Sequence, residues 1–272
     1  MNELLIFPSD ERQEFLKSHL EYFGYNCKMF SKSSQLSTAD IVVLPIPSIA
    51  DGMIKSNNMS TELFTSLVAR DCTVIGFCIK NTSFYNSLLS KGIRCFDGYD
   101  RPELAVSNAY ATAQGVLKFI LCDTKKMMRK NSVLISGYGK TGKAICDILA
   151  DNKVDVSVLV RRAEYKSVLC EKNMKCYFYD EVSNFKNHYD YLINTVDSKV
   201  ITKEIIDILP ENCKILEIAS KPYGIDFSQA EKRKIEVKIL PSLPSKAAPD
   251  SAGEFLAQAV CNIIEEENLW SL

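Results

Sequence analysis

"SGYGKTGKA", residues 136–144, decides the fold, and it can be parsed in two ways. As Gly137-x-Gly139-x-x-Gly142 it is a glycine turn of the kind that holds a dinucleotide pyrophosphate. As Gly137-x4-Gly142-Lys143 it is nearly a nucleotide triphosphate loop. The second reading needs a hydroxyl for Mg²⁺ on the residue after the lysine, and that residue is Ala144, whose methyl group cannot ligate a metal. The dinucleotide reading finds the neighbours it requires: "SVLIS" (132–136) reads as a strand and "TGKAICDILADN" (141–152) as a helix. Gly137 then makes the tight turn, Gly139 admits the pyrophosphate, and Gly142 lets the helix lie close to the strand. Tyr138, Lys140 and Thr141 complete the cradle, and the first N–H groups of the helix face the phosphates.

The next strand, "DVSVLV" (155–160), runs into Arg161 and Arg162. An NAD enzyme places an acidic residue here for the ribose 2′-hydroxyl, whereas two guanidiniums suit a 2′-phosphate. The pair therefore favours NADP over NAD; a solvated turn is the bland alternative.

Outward from this turn the chain keeps one rhythm. Short β-branched runs alternate with helical spacing, the pattern of parallel α/β units. The first half offers strands at 4–7, 27–30, 41–46, 73–79 and 93–96, and helices at 10–23 and 60–70, the latter capped by Ser60 with Leu63 opening its apolar face. The second half adds strands at 132–137, 155–160, 175–179, 189–196, 213–219 and 237–240, with helices at 141–152, 164–173, 202–209 and 227–234. This predicts two doubly wound, Rossmann-like parallel-sheet domains with a cleft between them. Residues 1–106 plus 250–272 form the expected substrate domain, with the last helix returning to it. Residues 107–130 form a linking helix, and 131–249 the NADP-binding domain.

The totals bound the function. The chain has 272 residues, 46% of them apolar and 25% charged, with a net charge of −1. That balance gives no electrostatic case for nucleic acid or an anionic membrane, and no apolar run approaches the roughly 20 residues of a membrane span. The N-terminal stretch lacks a small-residue cleavage site, so a cytoplasmic, reducing compartment is expected. The ten cysteines contain no C-x-x-C pair, so they are expected to be free thiols and no metal site is expected.

Three further stretches are distinctive: "INTVDS" (193–198), "EIASKPYGIDF" (217–227) and "LPSLPSKAAPDSAGEFLA" (240–257). With "SDERQ" (9–13), "IVVLPIP" (41–47), "SNAYATAQG" (107–115) and the glycine turn, in that order, the chain resembles the A-subunit family of dipicolinate synthases over nearly its whole length. It departs from the family pattern at Ala111, Gln114, Asp197, Ser242 and Ser245, in segments expected to line the cleft. The resemblance implies NADP-dependent oxidation of a dihydrodipicolinate-type precursor to dipicolinate in the mother cell of a sporulating bacterium. A flavoprotein-like B subunit is the implied partner. Whether the substrate is hydroxylated or already dehydrated stays open, as does a homo-oligomer.

A small ring with two carboxylates asks for cations, neutral donors and a base. The expected carboxylate partners are Lys221 after one strand and Arg12 after the first strand, with Lys246 as a further cation. Asn108 and Thr112 are neutral donors. Asn194 and Thr195 would line the nicotinamide side, Asn194 close to the chemistry. The base is Asp10, Lys221 or water. Two alternatives stay open: a catalytically weak dinucleotide-binding subunit that regulates or scaffolds, and another small-carboxylic-acid NADP dehydrogenase of shikimate-like logic.

Overall fold

The computed structural model describes residues 3–31, 34–55, 57–181 and 188–270. The chain divides into two compact units, Met1–Asn108 with Pro244–Leu272, and Ala109–Leu243.

The first unit is built on a five-stranded parallel sheet. Its elements run β1 (Leu4–Ile6), α1 (Glu11–Tyr22), β2 (Cys27–Met29), β3 (Ile41–Val43), a ribbon of β4 (Ile49–Ala50), β5 (Met53–Ile54) and β6 (Met59–Ser60), then α2 (Thr61–Leu67), β7 (Thr73–Gly76), α3 (Ser83–Ser90) and β8 (Arg94–Asp97). The sheet order is β2-β1-β3-β7-β8. Parallel strands are covered on both faces and so read as unbroken apolar runs; Leu4, Leu5 and Ile6 are all buried. Leu4 and Ile6 face a core shared with Leu16, Leu20 and the C-terminal helix, while Leu5 faces Phe64, Phe84 and Leu88. The chain winds outward in opposite directions from β1 and β3, which creates a switch point at their carboxyl ends.

The second unit repeats the plan with six strands. The long α4 (Pro102–Asp123) enters it, followed by β9 (Ser132–Ser136), α5 (Lys140–Asp151), β10 (Asp155–Val160), α6 (Tyr165–Glu171), β11 (Lys175–Phe178), β12 (Tyr191–Asn194), α7 (Lys203–Ile208), β13 (Lys214–Glu217), α8 (Phe227–Lys232) and β14 (Glu236–Ile239). The order β11-β10-β9-β12-β13-β14 is all parallel. Its switch point lies between β9 and β12, directly beyond which stand the glycine turn and Thr195. Two Rossmann-like α/β units are therefore the fold. Among the described residues no helix is long and apolar enough to cross a membrane.

Several local expectations shift. Ser60 does cap α2, accepting from the Leu63 N–H, but Leu63 is 49% exposed. The buried face belongs to Thr61, Phe64 and Thr65, one helical turn apart, which leaves Leu63 facing outward. Helix α3, capped by Thr82, has Phe84 and Leu88 buried at i and i+4, a signal present in the sequence but not read. The two-residue strands of the ribbon are too short to carry any periodic signal. The expected helix 107–130 instead starts at Pro102 and ends at Asp123, because Pro is well placed in a first turn and the basic stretch beyond leaves the helix. Within the Pro-rich segment a short α9 (Leu243–Ala247) precedes α10 (Pro249–Glu266).

Helix α10 packs along α1, bringing Leu256, Val260 and Ile263 against Leu16 and Leu20. Gly253 permits the approach: a Cβ there would lie 2.5 Å from the Phe15 Cβ and 2.8 Å from the Leu16 nitrogen. In an open helix Gly→Ala gains about 1 kcal/mol. Here overpacking reverses the sign, so Gly253→Ala is expected to lose about 1–3 kcal/mol in urea denaturation.

Candidate functional site

The second unit carries a pocket of about 470 Å³ at its switch point, lined by residues 137–142 of the turn, Val160, Arg161, Arg162, Tyr165, Tyr179 and residues 195–197. Two of the three glycines in the turn answer to a measurable constraint. Gly137 has φ +96°, which side chains rarely adopt, and a Cβ would press on Thr195 Oγ1 and Val196 Cγ2, each at 2.6 Å. A Cβ on Gly142 would collide with the Gly137 carbonyl, so the helix and the turn can meet only at a glycine. At Gly139 nothing stands within 4 Å of the position a Cβ would take, leaving open space beside the backbone. Gly139 is also the N-cap of α5 and supplies no side-chain hydrogen bond, so the first-turn N–H groups, which no helix can satisfy internally, border the pocket. These are the features a pyrophosphate needs.

The triphosphate reading fails twice. Ala144 is 3% exposed and belongs to the core with Ile145 and Leu149, so even a hydroxyl there would point into apolar packing. Lys143 holds its ammonium 5.4 Å from the ring centroids of both Tyr138 and Tyr165.

Arg161 and Arg162 are both exposed at the end of β10 and both line the pocket. Arg161 donates to Ser198 Oγ at 3.1 Å, and Arg162 pairs with Glu164 at 3.3 Å across open solvent. Neither contact is strong enough to hold its guanidinium against an incoming dianion. Thr195 donates from Oγ1 to the Ser136 carbonyl at 2.8 Å, which fixes the pocket wall between β9 and β12.

Asn194 is corrected by the structure. It is fully buried, and its amide nitrogen donates to the Val196 carbonyl and to both oxygens of Glu217, while its Oδ1 accepts from the Val196 N–H. Fully buried, with both amide hydrogens donated, this side chain shapes the turn at residues 195–198 from behind. Glu217, also fully buried, accepts from the Ala219 and Gly224 N–H groups as well. Burial pushes its carboxyl above the usual range despite these donors. The pair ties two strand ends together and anchors the loop that carries the exposed Lys221, which precedes Pro222 through a cis bond.

In the first unit, Asp10 and Arg12 form a bidentate pair beyond β1, with Nε to Oδ1 at 2.8 Å and Nη2 to Oδ2 at 2.7 Å. Burial raises the Asp10 carboxyl, but the bonds and charge of Arg12 outweigh it and hold Asp10 below its ordinary value. A general base works best near the operating pH; Asp10 is instead the residue that orients Arg12. Asn108 hydrogen-bonds with Tyr99. Lys246 lies exposed on α9, and Thr112 is half-buried on α4. The turn, the two arginines and Thr195 are thus brought together around one pocket. Arg12, Asn108 and Lys246 belong to the first unit, and Thr112 and Lys221 to the second.

Sequence reasoning missed Tyr165 and Tyr179 as pocket residues. Tyr179 could have been found as the residue after β11, where open sheets place ligands. Tyr165 follows no spacing rule.

No family model matches the chain. Among curated proteins it is 25% identical, over 232 residues, to the A subunit of dipicolinate synthase from Bacillus subtilis (strain 168), covering 84% of this chain and 78% of that protein. Among solved structures it is similar to the dipicolinate synthase A subunit from Bacillus halodurans, with a TM-score of 0.84, 23% identity and 97% of each chain covered. It also shares its fold with D-lactate dehydrogenase from Escherichia coli, with a TM-score of 0.65 and 11% identity over 98% of this chain and 97% of the other. The chain therefore resembles the A subunit of dipicolinate synthase in sequence and in fold.

The two inner glycines give a matched test. Gly142→Ala is expected to lower thermal stability and abolish dinucleotide binding together, because the added methyl meets backbone. Gly139→Ala, entering open space, should leave the melting temperature unchanged while weakening binding about tenfold or more, as seen by fluorescence titration.

Proposed function

We propose that this chain is an NADP-dependent oxidoreductase that acts as the A subunit of a dipicolinate synthase. Partnered by a B subunit, it converts a dihydrodipicolinate-type precursor, the product of the lysine-pathway aldol enzyme, into dipicolinate during spore formation. The observation that carries this reading is the open Gly139 edge of the pocket with Arg161 and Arg162 at its rim. The resemblance to the A subunit of dipicolinate synthase supplies the substrate class.

A nicotinamide held by the turn would supply the hydride acceptor that aromatisation of the substrate ring requires. The chain's own residues hold and orient the reactants. The turn at residues 137–142 binds the pyrophosphate through backbone N–H groups at the α5 N-terminus. Arg161 and Arg162 bind the 2′-phosphate, and charge-assisted bonds of this kind are about twice as strong as neutral ones. Thr195 walls the nicotinamide side. In the second unit Lys221, just past a strand, is the candidate cation for a carboxylate and Thr112 a neutral donor; in the first unit Arg12 and Lys246 are the candidate cations and Asn108 the neutral donor. The ring proton leaves to water, since Asp10 is committed to Arg12 and Lys221, as the cationic partner of a carboxylate, has no lone pair to accept it.

A second reading, a dinucleotide-binding subunit with little turnover of its own, is favoured by one observation. Asp10 and Asn194, two of the groups expected at the chemistry, are occupied by Arg12 and Glu217.

The test mixes purified protein, NADP and freshly generated aldol product, with and without the B subunit, and follows NADPH and dipicolinate by absorbance. Stoichiometric NADPH and dipicolinate above the spontaneous rate are expected. No NADPH from protein that binds NADP selects the second reading. For the cofactor, Arg161→Ala is expected to weaken NADP binding about tenfold while leaving NAD binding within about twofold. Equal losses for both would remove the 2′-phosphate assignment.

A further inference from the structure

The first unit has its own switch point, and the residues there carry a charge that the fold alone does not explain. Beyond β3 the chain turns through Ile46 and Pro47 to Ser48. This turn is rigidly held. Ser48 is fully buried, donates from Oγ to the Pro45 carbonyl at 2.8 Å and accepts from the Phe77 N–H at 2.7 Å. The ribbon of β4 to β6 then brings Lys55 back to the same place, its backbone N–H reaching the Ser48 carbonyl at 2.9 Å. Two cations converge on one oxygen there. Arg12 Nη2 donates to the Ile46 carbonyl at 3.1 Å, and Lys55 Nζ donates to the same carbonyl at 3.0 Å.

Against these two positive charges stands one carboxylate, Asp10, already bound bidentately to Arg12. Arg12 is 5% exposed and Lys55 half-buried. A carbonyl oxygen is neutral and cannot balance the second cation, and a buried charge without a counter-charge is costly. Burial lowers the Lys55 ammonium from its usual value, and the charge of Arg12 lowers it further. If the pair served only to pin the Ile46 carbonyl, a neutral amide would do so without that cost. Donor arithmetic points the same way. Arg12 uses Nε and Nη2, and Lys55 uses one of its three N–H bonds. Among the described residues, Arg12 Nη1 and the rest of the Lys55 ammonium meet no acceptor, and charged N–H donors of this kind are the ones a carboxylate accepts from.

We infer that Lys55 and Arg12 form a carboxylate-binding subsite at the β1–β3 switch point, with Lys55 as a substrate-binding residue beside the orienting Asp10–Arg12 pair. The inference rests on the proposed function only for the identity of the ligand, a small carboxylic acid. Cys78 lies near both cations. Its backbone, at φ +61°, is held by Asp97, which accepts from the N–H groups of Cys78, Ile79 and Lys80.

The test titrates the full-length protein calorimetrically with pyridine-2,6-dicarboxylate and with succinate, comparing wild type, Lys55→Gln, Lys55→Met and Lys55→Arg. Gln keeps a donor for the Ile46 carbonyl and removes the charge, so it separates binding from pinning. The expected result is carboxylate binding by the wild type, weakened about tenfold to a hundredfold in Lys55→Gln, the range for one hydrogen bond to a charged group. Lys55→Arg should keep most of the affinity, and all variants with measurable binding should melt near the wild-type temperature. Unchanged affinity in folded Lys55→Gln or Lys55→Met overturns the subsite and leaves the proposed function standing. Succinate binding that depends on Lys55, with no binding of the pyridine dicarboxylate, keeps the subsite and removes the proposed substrate. A wild type that binds neither acid overturns the subsite, while NADPH formation from the aldol product decides the proposed function on its own.

Discussion

The approach of Gly142 to the Gly137 carbonyl is the contact on which the second unit depends. It allows α5 to start within one turn of the end of β9, which in turn buries Ala144, Ile145 and Leu149 against Val133 and Ile135. The same closeness leaves the first-turn N–H groups of α5 at the carboxyl edge of the sheet. A packing constraint and a binding surface are thus one geometric fact. Any side chain at position 142 would push the helix out and lose both.

Each unit reinforces its switch point with a fully buried polar group. In the second unit Glu217 receives the Asn194 amide and two backbone N–H groups, which locks the strand ends beside the pocket. In the first unit Ser48 ties the β3 turn to the strand beside it through Phe77. Satisfied buried polar groups of this kind specify one arrangement, because any shift strands a donor or an acceptor away from water. They sit just behind the surface on which a ligand would rest, and so give the exposed residues a fixed base. Lys221 is carried in this way, and the Ile46 carbonyl that Arg12 and Lys55 meet belongs to the turn that Ser48 holds.

Most of the strand and helix pattern was legible because parallel α/β units write it twice, as β-branched runs for strands and as i, i+3, i+4 apolar spacing for helices. The glycine turn was legible at the level of single residues. Leu63 was misassigned because a seven-residue helix has too few turns to fix its phase from sequence. The ribbon was invisible, since pairs such as Ile49–Ala50 and Met53–Ile54 are held by partners across the turn and not by any period of their own. At the sites, residue type suggested chemistry for Asp10 and Asn194 that their neighbours withhold. A carboxylate is a base only if nothing nearby neutralises it, and an amide is a ligand only if its own hydrogen bonds are unmade.

The sequence by itself determined the class of fold, the glycine cradle and the exclusion of a triphosphate loop. Each of these shows as periodicity or as residue types at fixed spacing along the chain, so local pattern is enough to read it, although contacts distant in the chain, such as Gly137 with Thr195, hold it in place. Tertiary structure alone decided that Glu217 consumes Asn194 and that Lys55 returns to the carbonyl of Ile46. What these side chains can do is set by burial and by the partners that folding places beside them, and neither has a value until the chain has folded.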